Sequence, residues 1–439
     1  MTDLIARDKR YIWHPFTQHK TECEPIALSH AKDACLYDDK GREIIDLISS
    51  WWTITHGHAH AGINAAMMEQ AEKMSHVMFS GFTHEPAVSL AENLSKELGG
   101  NLSKVFFSDN GSTSVEVALK VAYQYWKNKG EAERSSFIAF DGAYHGDTFG
   151  AMAVGKGSGF FSAFDGLLCQ VHTVPYGETW LDDADVETRE DAAIAELQKT
   201  IEKHGKTIAA LIMEPLFQGA GGMKFCRPQF VKRVVETVRS AGILVIFDEV
   251  AAGFGRTGSL FAHQQCDVKP DMICLSKGLT AGTLPLSVTV IDETLFDAFL
   301  GDDFSTALAH GHSFTGNPLA CAIANKSLAL FEEENTLQKI KEIEAQHHSF
   351  ANELLNHPKV KHARVCGSLL AFDFIDAKAA PEGSYKSETS LNLRDYFIAE
   401  GLNIRPLGPV VYLMPPYSIT EAQLKKGYEG LFKGLEDIV

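Results

Sequence analysis

The sequence predicts an α/β protein built on a largely parallel sheet with helices on both faces. Three observations carry that expectation. Apolar runs of strand length recur at 104–107, 136–140, 208–213, 243–247, 272–275 and 287–291. Runs such as Ile243-Leu-Val-Ile-Phe247 are β-branched and aromatic without a charge, the profile of a strand buried on both faces. Helical spacing lies between the runs: over 112–126, Val115, Ala118, Leu119, Ala122 and Trp126 fall on one face. Strand and helix alternating in this way predict parallel strands joined by covering helices.

Outside that alternation the pattern changes. Residues 1–60 read as an irregular lead and then short strands, with Asp38-Asp-Lys-Gly41 as the turn between extended runs. From about residue 331 a long charged helix over 332–355 is followed by β-like segments and helices. The expected division is a large α/β domain over 61–330 and a smaller α+β domain made of 1–60 and 331–439.

With 439 residues, 45% hydrophobic and 22% charged, the chain has the composition of an ordinary globular protein with a sizeable core. The net charge of −17 argues against a nucleic-acid backbone as partner. No apolar stretch is long enough to span a bilayer, and the first ten residues lack the apolar core of a secretory signal. Eight scattered cysteines, none in a C-x-x-C, read as reduced thiols, so a cytoplasmic location is expected.

The chemistry is concentrated at two strand ends. Asp248 closes the run Ile243–Phe247, and Lys277 follows the run Met272–Leu275 in Ser276-Lys-Gly278. An α/β sheet opens onto its site at such edges. A lysine amine can condense with the aldehyde of pyridoxal phosphate, and an acid nearby can keep the pyridine nitrogen protonated so that the ring accepts electrons. The plain alternative is a pair of ordinary strand-end charges. Asn110-Gly-Ser-Thr113 opens the helix after the strand at 104–107, which suits a phosphate at a helix N-terminus or a simple N-cap. In Gly142-Ala-Tyr-His-Gly-Asp147, Tyr144 is placed to stack on a planar group, or to pack in a turn.

Several patterns are decoys. Gly253-Phe-Gly-Arg-Thr-Gly258 satisfies G-x-G-x-x-G, but five residues separate it from its strand. Gly150-Ala-Met-Ala-Val-Gly-Lys156 lacks the Ser/Thr that a P-loop needs after its lysine. His56, His58, His60, His310 and His312 are dense, yet no carboxylate or cysteine spacing accompanies them, and they read as loop histidines with no metal expected. Trp51-Trp52 among polar neighbours reads either as core or as a ligand-facing wall. Arg405, before the apolar run Val410–Met414, should pair with a carboxylate, internal or a substrate's.

Taken together, Asp248-Glu-Val through Gly253-Phe-Gly-Arg-Thr-Gly258, then Ser276-Lys-Gly278, then Thr315-Gly-Asn-Pro318, resemble the class III pyridoxal phosphate aminotransferases over nearly the whole chain. Trp13-His-Pro-Phe-Thr17, Ser50-Trp-Trp52, Met74-Ser-His-Val-Met78, Tyr144 to Met152 and Tyr412-Leu-Met-Pro-Pro-Tyr417 are similar to the biotin-pathway branch of that class, which moves an amino group from S-adenosylmethionine to 8-amino-7-oxononanoate. The resemblance implies a fold type I transferase working as a homodimer with shared sites. It implies that Lys277 carries the cofactor, Asp248 holds the pyridine nitrogen, Gly111 and Ser112 hold the phosphate, and Tyr144 stacks on the ring and faces substrate. Trp51 would wall the substrate pocket and Arg405 would take the acceptor's carboxylate. Gly311, His312 and Ser313 would reach the phosphate of the other subunit. Two positions depart from the pattern: Phe16 stands where the branch has Tyr, and His312-Ser313 where it commonly has Pro-Thr. The alternatives at this point are a class III ω-amino acid or diamine transaminase, lysine as donor, a mutase, and a silent cofactor-binding scaffold.

Overall fold

A computed structural model describes residues 3–158, 161–375 and 387–439. At its centre lie seven strands: β1 Leu102–Ser108, β2 Ser136–Phe140, β3 Val171–Val174, β4 Ile208–Met213, β5 Leu244–Asp248, β6 Met272–Leu275 and β7 Ser287–Asp292. They run in the order β1-β7-β6-β5-β4-β2-β3, and only β7 is antiparallel to its neighbours. The expected parallel sheet is therefore present.

Its uncharged runs are explained by two cores. Successive strand side chains point to opposite faces, so Leu244 and Ile246 join Met272 and Cys274 in one buried cluster. Val245 and Phe247 join Ile273 and Leu275 in the other. The helix Gly111–Asn128 covers the first face with Val115, Ala118, Leu119 and Ala122. Pro228–Ser240 covers the second with Phe230, Val231, Val234 and Val238.

The two ends of the chain meet in a four-stranded sheet. Strands Leu28–Lys32, Cys35–Asp38 and Glu43–Asp46 are joined by Leu402–Asn403, which pairs in parallel with Glu43–Asp46. The turn at Asp38 is as expected: its Oδ1 accepts from the backbone of Lys40 (2.9 Å) and Arg42 (2.8 Å). A three-stranded antiparallel sheet, Val360–Cys366, Leu369–Phe374 and Val410–Leu413, completes the C-terminal part. Among the described residues no helix is long and apolar enough to cross a membrane.

Three elements differ from expectation. The helix expected over 332–355 is two helices, Pro318–Glu333 and Thr336–Leu354, because Asn335 turns the chain with φ 51°. Asn accepts that conformation more readily than most residues, and it breaks a charge pattern that otherwise reads as continuous. Strand β3 was not expected: it is four residues long at the sheet edge, only its last residue is buried, and so its pattern carries little signal. The lead contains a helix, Leu4–Tyr11, capped by Asp3 and burying none of its residues.

The break at Asn335 leads to a test. Asn335→Val should lower stability by about 1–2 kcal/mol, whereas Asn335→Gly should not, because the cost is the Cβ in a left-handed conformation. Denaturant midpoints of the two variants measure this, and equal midpoints would remove the backbone explanation.

Candidate active site

Four strand ends converge at one edge of the sheet. Asp248 is the last residue of β5 and lies in register with Cys274 of β6, so Lys277 follows three residues beyond on the neighbouring strand. Asp248 is almost fully buried; its Oδ2 accepts from His145 Nδ1 at 2.7 Å and its Oδ1 from the backbone of Val250 at 3.0 Å. His145 comes from the loop after β2, and Glu214 from the end of β4. Glu214 is buried and accepts from the backbones of Tyr144 (3.1 Å) and Gly219 (3.0 Å). Burial raises its pKa to about 7; the Asp248 charge adds to the rise, while His145 and the two backbone donors oppose it.

Lys277 begins a short 3-10 turn with φ 47°, a conformation that costs a non-glycine residue about 1 kcal/mol or more. The turn fits because Gly278 follows: a Cβ there would sit 2.9 Å from Phe254 Cβ and 3.0 Å from Thr55 Cγ2. The Lys277 ammonium lies over the Trp52 ring, 4.9 Å from its centroid. Desolvation of its head group lowers its pKa, against the pull of Asp248 and Glu214, which enriches the neutral amine that bonds a carbonyl or takes a proton.

These groups line a cavity of about 410 Å³ together with Asn110, Gly111, Ser112 and Tyr144. The long helix Gly111–Asn128 points its N-terminus into it, and Asn110 caps that end by accepting from the Thr113 backbone at 3.1 Å. Asn110 is the N-cap of the sequence reading, and Gly111 and Ser112, whose amides lie in the first helical turn, line the cavity. Gly146 is required by close approach, since a Cβ there would meet Ser112 Oγ at 2.1 Å. The Tyr144 hydroxyl donates to Asp147 Oδ2 at 2.9 Å.

The two tryptophans part company. Trp52 is buried, donates Nε1 to the Tyr412 hydroxyl at 3.0 Å and lines the cavity. Trp51 stands outside at the rim, its ring 5.8 Å from Phe16 and 5.7 Å from the Arg405 guanidinium. Arg405 makes no ion pair with a carboxylate among the described residues; it faces a second cavity of about 340 Å³ beside Asn403 and Thr17. Gly311, His312 and Ser313 do not line the cavity that holds Lys277 in their own chain. His312 Nδ1 lies 3.7 Å from Asp109, and His76 Nε2 donates to the Ser313 carbonyl at 2.7 Å.

The family profile described as Aminotransferase class-III matches residues 16–435. The chain belongs to the class-III aminotransferases. It is 47% identical over 428 residues to the adenosylmethionine-8-amino-7-oxononanoate aminotransferase of Synechococcus elongatus, covering 98% of this chain and 99% of that one. Identity to the enzyme of the same name from Geobacter sulfurreducens is 38% over 440 residues, with 98% and 97% covered. Among solved structures, that aminotransferase from Methanocaldococcus jannaschii superposes with a TM-score of 0.91 at 32% identity, covering 99% of both chains. An (S)-enantioselective omega-transaminase from Thermomicrobium roseum gives 0.92 at 27% identity, covering 99% and 98%.

This class-III aminotransferase uses pyridoxal 5'-phosphate, and the omega transaminase of Pseudomonas jessenii is solved in complex with PMP. The residues present fit that group. A helix N-terminus stands ready for a phosphate, a buried carboxylate for a pyridinium nitrogen, and a lysine of lowered pKa for an aldehyde. His145 Nε2 is buried with no hydrogen-bond partner among the described residues, so His145 can put its other nitrogen wholly at the service of Asp248.

The rejected patterns have other work. Arg256, in the glycine-rich stretch, is fully buried and donates to the carbonyls of Pro415 (3.0 Å), Trp52 (3.3 Å) and Ile54 (2.7 Å). The histidines of 56–60 pair off separately: His56 with the Ser327 carbonyl, His58 with Asp46 and His60 with Glu334.

Sequence reasoning missed His145 and Glu214. The second was within reach, because Ile208–Met213 is an uncharged run ended by one ionisable side chain, the same signal that singled out Asp248. For His145 there was none beyond its place beside Tyr144.

Glu214 carries a pH signature. A carboxyl whose folded pKa is raised binds a proton more tightly folded than unfolded, so its stabilising share is complete below pH 4.5 and is lost as pH rises to about 7. Glu214→Gln should remove that slope: the variant-minus-wild-type stability should increase from pH 5 to pH 7.5 in denaturant titrations. A pH-independent difference would place the ordinary carboxylate pKa at Glu214.

Proposed function

We propose that this chain transfers an amino group from S-adenosylmethionine to 8-amino-7-oxononanoate, giving 7,8-diaminononanoate in biotin synthesis. The observation that carries the acceptor is Arg405: a guanidinium with no carboxylate in ion-pair distance among the described residues, set against the apolar Trp51 and Phe16 rim. An acceptor with a long methylene chain ending in a carboxylate suits such a wall, and a guanidinium clamps a carboxylate through two parallel hydrogen bonds. The curated relatives that carry this activity in their names, over nearly their whole length, support the same reading.

Pyridoxal phosphate, when bound, supplies the aldehyde that receives the amino group and the ring that withdraws electrons. Around it the chain supplies position and proton transfer. The amides of Gly111 and Ser112 would hold the phosphate, Tyr144 would orient the ring and substrate, and Asp248 would hold a proton on the pyridine nitrogen while the hydrogen bond from His145 keeps Asp248 in place. Lys277 Nζ would take the proton from the donor's Cα as general base and, once protonated, serve as general acid toward the carbon that the cofactor supplies, on the far side of the transferred nitrogen. Donor and acceptor occupy the cavity in turn, so the amino group waits on the enzyme between them.

The reading includes a homodimer. The segments around His76 and Ser313 carry exposed apolar side chains, Met78, Phe82 and Phe314, which a second copy would cover. Ser313 would then serve the other subunit's phosphate, with Gly311 and His312 beside it. A large unit over 61–330, a small unit from 1–60 and 331–439, and a cytoplasmic location belong to the same reading. The eight cysteines are all free thiols, as a reducing compartment would keep them.

Incubating the holoenzyme with 8-amino-7-oxononanoate and S-adenosylmethionine, and separately with lysine, and measuring diaminononanoate tests the donor and acceptor together. No product with either donor would return the chain to the ω-amino acid or diamine transaminases. Arg405→Lys should weaken the acceptor roughly ten- to a hundredfold while leaving the donor half-reaction intact, because one charge-assisted contact is worth about 1.5–3 kcal/mol. Equal damage to both half-reactions would make Arg405 a structural residue. For the dimer, mixing Lys277→Ala with Ser313→Ala protein under subunit exchange should restore activity that neither has alone. Exchange without recovery would assign Ser313 to its own chain.

A further inference from the structure

Four successive non-glycine residues, Ser49, Ser50, Trp51 and Trp52, have φ of 50°, 45°, 69° and 73°. Left-handed backbone is unfavourable for each, and a run of four persists only where the surroundings over-determine it. Trp52 is held from the sheet side by Tyr412 and by Arg256, while Ser49 Oγ donates to the Met414 carbonyl at 2.6 Å. Those contacts do not reach Trp51.

The residue just before it, Ser50, is bound by Asp46. This carboxylate is completely buried and accepts four hydrogen bonds: from Ser50 N (3.0 Å) and Asn403 Nδ2 (2.9 Å) on Oδ1, and from Ser50 Oγ (2.7 Å) and His58 Nε2 (2.9 Å) on Oδ2. Burial by itself would push this carboxyl's pKa up; the donors from His58 and Ser50 more than reverse that and hold it below the ordinary range. The geometry of its partners is specific. Ser50 immediately precedes Trp51. Asn403 lies opposite Asp46 in the parallel pairing and two residues before Arg405, and lines the same cavity as Arg405. One carboxylate thus ties together the two chain segments whose side chains meet as the Arg405–Trp51 pair.

We infer that Asp46 is the positioning residue of the acceptor wall, acting through Ser50 on Trp51 and through Asn403 on Arg405. It touches neither the cavity that holds Lys277 nor the acceptor. Its work is to set the distance and angle between an aromatic face and a guanidinium that makes no ion pair among the described residues. The inference rests on the reading of Arg405 and Trp51 as the acceptor wall. It separates acceptor recognition from the cofactor site, because Trp52 is held by other bonds and Lys277 follows on the buried strand β6.

The test cuts each branch in turn in the holoenzyme. Asn403→Ala removes the tie to Arg405 and Ser50→Ala removes a tie to Trp51, each leaving the carboxylate its other donors. Each variant should raise the KM for 8-amino-7-oxononanoate about tenfold, the size of one lost hydrogen bond, with kcat at saturating acceptor and the donor half-reaction within about twofold of wild type. In an Arg405→Lys background Asn403→Ala should add less than about twofold, since both act on one contact. Asp46→Asn should combine the two losses, and the single-branch variants decide the matter if it does not fold. Should Arg405→Lys weaken the acceptor while Asn403→Ala and Ser50→Ala leave it unchanged, the positioning role is overturned and the acceptor reading stands. Equal losses in both half-reactions, or full additivity with Arg405→Lys, also overturn it. If Arg405→Lys itself leaves acceptor affinity intact, the acceptor wall fails and this inference goes with it.

Discussion

The parallel pairing of β5 with β6 sets the distance on which the site depends. Its register places Asp248 opposite Cys274, so the acid and the lysine at 277 emerge from neighbouring strands on the same edge of the sheet. That pairing is strongly determined, because both strands are buried on both faces and a slip of one residue would exchange the side chains of two separate cores. Asp248 and Lys277 therefore stand at the ends of two fully buried strands. Two further strands, β4 and β2, bring Glu214 and the His145 loop to the same edge and surround one carboxylate with a hydrogen-bonded imidazole and a second acid.

Crowding several ionisable groups into a desolvated pocket has a definite consequence. They cannot all carry charge, so their pKa values separate. Asp248 keeps His145 as a hydrogen-bonded partner, Glu214 rises to about 7, and Lys277 falls below an ordinary lysine. The pocket thus sets a buried acid beside a lysine whose neutral form desolvation favours. The G-x-G-x-x-G stretch contributes in a different way from a nucleotide loop. Its Arg256 binds three carbonyls of the segments that carry Trp52 and Pro415, and so joins the N-terminal and C-terminal parts of the chain to the sheet.

On the substrate side, rigidity is achieved with unfavourable backbone. Lys277 and the four residues Ser49–Trp52 all occupy left-handed conformations, and Ser49 and Trp52 are pinned by bonds from a distant part of the chain. Strain of this kind is tolerated where a side chain must point in a direction that regular structure does not offer. The two tryptophans illustrate it: adjacent in sequence, they serve different places, one beneath the lysine and one at the rim beside Arg405.

Much of this was legible in the residues themselves. Six of the seven central strands, the helix after β1, and the acid and lysine at their strand ends follow from periodicity and from uncharged runs, because burial on both faces leaves a local mark in the sequence. Strand β3 and the break at Asn335 left no such mark, one being short and peripheral and the other a single permissive residue. The partners of Asp248 were decided only by tertiary structure. His145 meets Asp248 across 103 positions of sequence, and Asn403 meets Asp46 across 357. A polar residue's role depends on which group faces it after folding. Hydrophobic periodicity records only which face is buried, so the sequence by itself determined the scaffold and its reactive ends, and the folded chain decided how those ends are held and aimed.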